Sequence, residues 1–113
     1  MKDTKDRDIH LYHIRDACQQ IIQFTDGYSF DSFCRDPKTQ NAVIRLIQVI
    51  GEAARQMDEE TKKELSDVSW KQIIGMRHKI VHDYVDIELH LVWDSATKEI
   101  PALLERIQKA LSR

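Results

Sequence analysis

Between Arg77 and Tyr84 the chain gathers Arg77, His78, His82, Asp83 and Tyr84 inside eight residues. Arginine is a permanent cation whose planar donor fork suits a phosphate. Histidine gives and takes a proton near neutral pH. Together they meet the needs of metal-free RNA cleavage. One group deprotonates the ribose 2′-OH or protonates the 5′-oxygen leaving group, and a fixed cation stabilises the charge that develops on the phosphorus oxygens. The same residues also fit plainer roles. Arg77 would make surface ion pairs, His82 would be a hydrogen-bonded core residue and Tyr84 would pack at a helix end. His78 and His82 have the spacing of a metal-binding pair, but no third ligand stands out beyond Asp83. Lys71, Arg77 and Lys79 make the stretch locally basic, which ordinary solvated lysines largely explain.

The stretch Ser69 to Tyr84 is expected to be one helix. Ser69 followed by Gln72 is a capping-box pattern, and Trp70, Ile73, Ile74, Ile80 and Val81 supply a face to bury. Gly75 inside it weakens the helix by about 1 kcal/mol against Ala, which close packing on a neighbouring helix would offset. On such a helix Arg77 and Tyr84 fall within roughly 20° of each other, while Arg77 and His82 lie roughly 140° apart. His78 and His82 share a face. Arg77 and His82 therefore converge on one atom only if the helix loosens near Asp83, or if a second copy of the chain supplies half of the site.

The rest of the sequence reads as helices that hold this stretch. Leu11, Ile14, Cys18, Ile21 and Phe24 form one stripe of a helix from about Asp6 to Asp8 through Thr25, ended by Gly27 as a left-handed cap. A short helix over Ser29 to Cys34 is expected to carry Phe30 and Phe33 into the core. Asp36-Pro37 opens the next helix, since Asp36 can cap and Pro37 suits the first helical position. That helix runs to about Met57 with a wide apolar band, and Gly51, Ala53 and Ala54 allow close approach. Arg45, Gln48, Glu52 and Arg55 make a polar stripe along it, either a solvated face or in part the lining of a cleft opposite the key helix. Asp58 to Ser66 reads as a short exposed helix anchored by Leu65. Asp86 begins a last helix that carries Leu89, Trp93, Ala96, Ile100, Leu103, Ile107 and Leu111, bent at Pro101. The fold class is all-α, an antiparallel bundle of four to five helices.

The bulk numbers bound the function. The 113 residues suffice for a single domain, 1–113. With 42% hydrophobic and 32% charged residues the chain is ordinary for a globular protein. A net charge of −2 argues against a general nucleic-acid coat, so any polyanion must meet a local patch. Cys18 and Cys34 form no Cys-x-x-Cys pair and read as reduced and structural. The charged N-terminus is not the apolar part of a signal peptide, and no apolar run approaches the roughly 20 residues of a membrane span. The cytoplasm is the expected compartment. His10, His13 and His90 belong to no motif and are expected at the surface or its boundary.

The run Arg77-x-x-x-x-His82-x-Tyr84, with the polar His78 directly after the arginine, resembles the signature of the HepT family within the larger group of HEPN domains. The flanks resemble it too: Trp70-Lys-Gln-Ile-Ile-Gly-Met-Arg77 before it, Val85 to Trp93 after it, and the Ile100-Pro101-x-Leu103 step. The pattern around Asp8, Leu11, Ile14 and Ala17 matches more loosely. The resemblance implies an all-helical toxin of a prokaryotic toxin–antitoxin pair. It implies a homodimer whose signature helices face each other across a cleft, and a metal-independent endoribonuclease acting on tRNA or mRNA without a cofactor. It makes Arg77 and His82 the catalytic pair, with His78 and Asp83 in support. It makes Tyr84 the tyrosine to which an antitoxin resembling a minimal nucleotidyltransferase (MNT) adds AMP. The rival expectations are a non-catalytic HEPN subunit that binds a nucleotidyltransferase, and a purely structural helical dimer.

Overall fold

The computed structural model describes the backbone of residues 4–83 and 86–112 and the side chains of residues 8–80 and 87–112. In chain order it contains α1 (Thr4–Thr25), α2 (Phe30–Cys34), α3 (Pro37–Gln56), α4 (Glu59–Glu64), α5 (Trp70–Ile80), β1 (Val81–Asp83), β2 (Asp86–Ile87), α6 (Leu89–Asp94), a π-helical turn over Ser95–Glu99, and α7 (Ile100–Leu111). The fold is all-α, with one short antiparallel ladder inserted between α5 and α6. Helix α1 packs on α3 and α7, and α3 packs in turn on α5.

Local signals place the elements. Gly27 takes φ 79° and turns the chain out of α1, the left-handed role its position suggested. Ser29 caps α2 in a reciprocal box with Ser32. Asp36 caps α3, its Oδ1 accepting from the Thr39 N–H at 3.1 Å. The Tyr28 and Thr39 hydroxyls both donate to its other oxygen. These bonds, that from Tyr28 first, hold the Asp36 carboxyl below its usual pKa of 3.8. Asp58 caps α4 through the Thr61 N–H. Leu65 is the expected anchor beneath α4, and its carbonyl accepts a bond from Trp70 Nε1 at 3.1 Å. Ser69 stands at the N-cap of α5, its carbonyl accepting from the Ile73 N–H.

One core runs through the bundle. Leu11, Ile14, Cys18 and Ile21 of α1 meet Val43, Ile47, Ile50 and Ala54 of α3, with Ile100, Leu103 and Ile107 of α7 closing the side. Burial raises the Cys18 thiol pKa to about 12, so it stays protonated at neutral pH. Cys34, by contrast, is exposed and takes no part in the core. Phe24 and Phe30 were expected inside, yet they are 39% and 41% exposed. Phe33 alone fills the interior below α2 and stacks at a tilt on Trp93, centroids 5.3 Å apart, with Phe30 at the rim of the same ring.

Four expectations about helices are corrected. The last helical run begins at Leu89 rather than Asp86, which lies in β2. The helix begun at Trp70 ends at Ile80 rather than Tyr84, and residues 81–83 are extended. Among the described residues nothing lies within 4 Å of the position a Cβ on Gly75 would take, so no close packing there offsets its helical weakness. Near Pro101 the last helix widens instead of simply bending, and the Ile100 N–H bonds back five residues to the Ser95 carbonyl. Proline has no N–H to give, and its ring crowds the carbonyl four residues earlier, that of Thr97. The wider turn ahead of it accommodates both effects.

Two consequences are measurable. Gly75→Ala adds helix propensity in open space and should stabilise the fold by about 0.5–1 kcal/mol in denaturant titration. A loss of stability would show that the site is not open. Asp36→Ala should lower the melting temperature at neutral pH. Because the folded pKa of Asp36 is depressed, its contribution is complete above the unfolded value and lost as pH falls through the folded one. The gap between wild type and variant should therefore narrow as pH falls below about 4, and a gap that does not narrow with acid would contradict the assignment.

Candidate functional site

Helix α5 ends in Arg77-His78-Lys79-Ile80. Met76 and Ile80 are buried, so its last turn is fixed by one face and presents Arg77, His78 and Lys79 to solvent. Cations suit this end of a helix, where the backbone carbonyls concentrate negative potential. Among the described residues the Arg77 side chain makes no hydrogen bond or ion pair. It is a charge available to a ligand.

Across from it runs the polar stripe of α3. Gln48, Gly51, Glu52 and Arg55 face Ile74, Arg77 and His78 over a groove of about 130 Å³. The cleft reading of the stripe thus holds for Gln48, Glu52 and Arg55. Arg45 is exposed but does not line this groove. Gly51 and Ile74 belong to the lining without having been expected there. The two helices approach at Gly51: a Cβ on it would make ordinary contact with the Ile74 and Ile73 carbonyl oxygens at 3.7 and 3.9 Å.

Charges within the groove are ordered. Arg55 Nη2 lies 2.6 Å from Glu52 Oε1, and Arg55 Nε donates to Glu52 Oε2 at 3.3 Å. Gln56 Nε2 adds a bond to Glu52 Oε1 at 3.0 Å. The bonds from Arg55 and then Gln56 lower the Glu52 pKa, and the bond to Glu52 and its charge raise that of Arg55.

His82 and Asp83 lie on β1, where only their backbone is described; Tyr84 lies outside the described residues. The backbone alone changes the geometry. Val81 pairs with Ile87 and Asp83 with Asp86 across an irregular ladder, and the Glu88 N–H bonds the Ile80 carbonyl at 2.9 Å. His82 therefore leaves the helical register, advancing about 3.3 Å per residue instead of 1.5 Å. The roughly 140° separation of an ideal helix does not apply to Arg77 and His82, nor do His78 and His82 share a helical face. His10 is half-buried, and His13 and His90 are exposed, as expected of residues outside the motif. Among the described residues no three His, Cys, Asp or Glu side chains gather as metal ligands, and no helix is long and apolar enough to cross a membrane.

Comparison with known proteins fits this arrangement. The family model described as "Ribonuclease HepT-like" matches residues 14–110. "Putative RNase TTE0752" of Caldanaerobacter subterraneus is 35% identical over 92% of this chain and 93% of its own length. "Putative RNase MJ0127" of Methanocaldococcus jannaschii is 36% identical over 95% of this chain and 88% of its own. "Probable ribonuclease HepT" of Thermococcus cleftensis is 32% identical, covering 88% and 91%. No solved structure matches. A match over nearly the whole bundle, from the first core helix to the last, places this chain in the HepT-like ribonuclease family.

Proposed function

We propose that this protein is a metal-independent endoribonuclease, the toxin of a toxin–antitoxin pair, with Arg77 and His82 as its active pair. The observation that carries the reading is the end of α5, where an unpaired Arg77 fronts a groove and the chain passes straight into the extended segment bearing His82. Membership of a family of ribonucleases supports it.

The chemistry follows from the two residue types. The ribose 2′-oxygen attacks the adjacent phosphorus while the P–O5′ bond breaks. The 2′-OH proton goes to a base and a proton is delivered to O5′, leaving a 2′,3′-cyclic phosphate and a 5′-hydroxyl. His82 is the acid–base group, and Arg77 neutralises the non-bridging oxygens as charge builds on them. His78 and Asp83 support the site. A homodimer would set a second copy's groove against the first and allow an Arg and a His from different chains to reach one phosphate. A nucleotidyltransferase antitoxin would silence the site by adding AMP to Tyr84, because a new phosphate at the entrance repels and blocks RNA phosphates.

Purified protein incubated with tRNA and mRNA in EDTA should release fragments with cyclic phosphate ends. His82→Ala should lower kcat by about 10²–10⁴-fold and Arg77→Ala by about 10²–10³-fold. Equal cleavage by all three proteins would refute the assignment and return the chain to the role of a non-catalytic subunit that binds a nucleotidyltransferase. Co-expression with a nucleotidyltransferase antitoxin should add mass in AMP steps that vanish in Tyr84→Phe. An unmodified wild type, or a modified Tyr84→Phe, would contradict the acceptor role.

A further inference from the structure

The groove holds a second guanidinium besides Arg77. Arg55 stands on the α3 wall, exposed, with Glu52 bonded side-on to its Nε and Nη2 edge. An arginine carries five N–H donors, and this pairing engages two of them, so about three remain for a ligand. The fork is oriented by its partners. Glu52 bonds Gln56 as well as Arg55, and the three residues lie on adjacent turns of one helix. Surface arginines lose rotamer freedom when they bind, and a pairing that already orients the fork reduces that cost.

The lining narrows the ligand. Arg55 and Arg77 stand on the two walls of the groove, and among the described residues no Phe, Tyr or Trp lines it, which suits backbone phosphates rather than stacked bases. Glu52 would oppose an anion by itself, but its charge is engaged by Arg55, and Arg77 leaves the groove with a surplus positive charge.

We propose that Arg55, oriented by Glu52 and Gln56, binds a backbone phosphate of the RNA next to the one held by Arg77. This rests on the ribonuclease reading above and extends it: Arg55 is a substrate-binding residue, Glu52 a positioning residue that acts through it. Two cations on facing helices would then fix the direction in which the strand crosses α5, and so select which phosphodiester reaches His82.

The test pairs cleavage kinetics with salt-dependent binding of a 2′-O-methyl oligonucleotide, which cannot be cut. Arg55→Ala should lower kcat/KM about tenfold, chiefly through KM. It should also flatten the slope of log K against log salt by about 0.7, the loss of one single-strand phosphate contact. Arg55→Lys should restore the slope but not the full affinity, since a lysine keeps the charge without the fork. Glu52→Gln should raise KM with the slope unchanged. Melting curves establish that each variant is folded. If Arg55→Ala keeps the wild-type KM and slope while Arg77→Ala abolishes cleavage, the Arg55 assignment falls and the ribonuclease reading stands. If the wild type neither binds nor cuts RNA, both fall together.

Discussion

Helix α3 lies close to α5 at Gly51, where a Cβ would stand 3.7 and 3.9 Å from the Ile74 and Ile73 carbonyl oxygens. A methyl there would make ordinary van der Waals contact, so the two backbones approach to about the width of an alanine. Much of the site depends on that approach. It sets the polar stripe of α3 opposite the last turn of α5, so that Gln48, Glu52 and Arg55 share a groove with Arg77 and His78. The distance is held from behind by the core, where Ile47, Ile50 and Ala54 of α3 are buried with Ile73, Met76 and Ile80 of α5. Chemistry-bearing residues sit on the outer faces of two helices whose inner faces are locked. That division suits a site that must keep its geometry while open to a large substrate.

Electrostatics work locally here. The chain as a whole carries a net charge of −2, so long-range attraction for a polyanion is absent. Within the groove, two guanidiniums stand against one carboxylate that is already paired. Such a surface favours a phosphate at one place without coating the molecule in positive charge. It would bind RNA by a few well-placed contacts, and weakly outside them.

Much of this was legible in the residues, and the failures share a cause. Asp36-Pro37, Gly27 and the Leu11–Ile21 stripe are local signals, and each specifies its own element. The end of α5 is different. No glycine or proline follows Ile80, and apolar spacing runs on through Val81, so helical periodicity extends the helix too far. The contrary signal was the β-branched set Ile80, Val81, Val85 and Ile87, which favours an extended chain. Phe24, Phe30 and Gly75 fail for a second reason: a sequence shows which residues could pack but not whether a partner arrives. The cleft-facing stripe of α3 was visible as a spacing, whereas its pairing with Arg77 required the approach at Gly51. The widened turn over Ser95–Glu99 leaves the apolar pattern of the last helix intact and so stays hidden from it.

The account comes down to one phosphodiester held between a guanidinium at the end of α5 and an imidazole on the extended segment that follows. A crystal structure of the protein with a 2′-O-methyl RNA would test it most directly. It should show a backbone phosphate within hydrogen-bond reach of Arg77, with the His82 ring, from the same chain or a second copy, beside the O2′ or O5′ of that linkage. RNA seated elsewhere on the bundle, with Arg77 facing solvent and His82 remote from any phosphate, would contradict it.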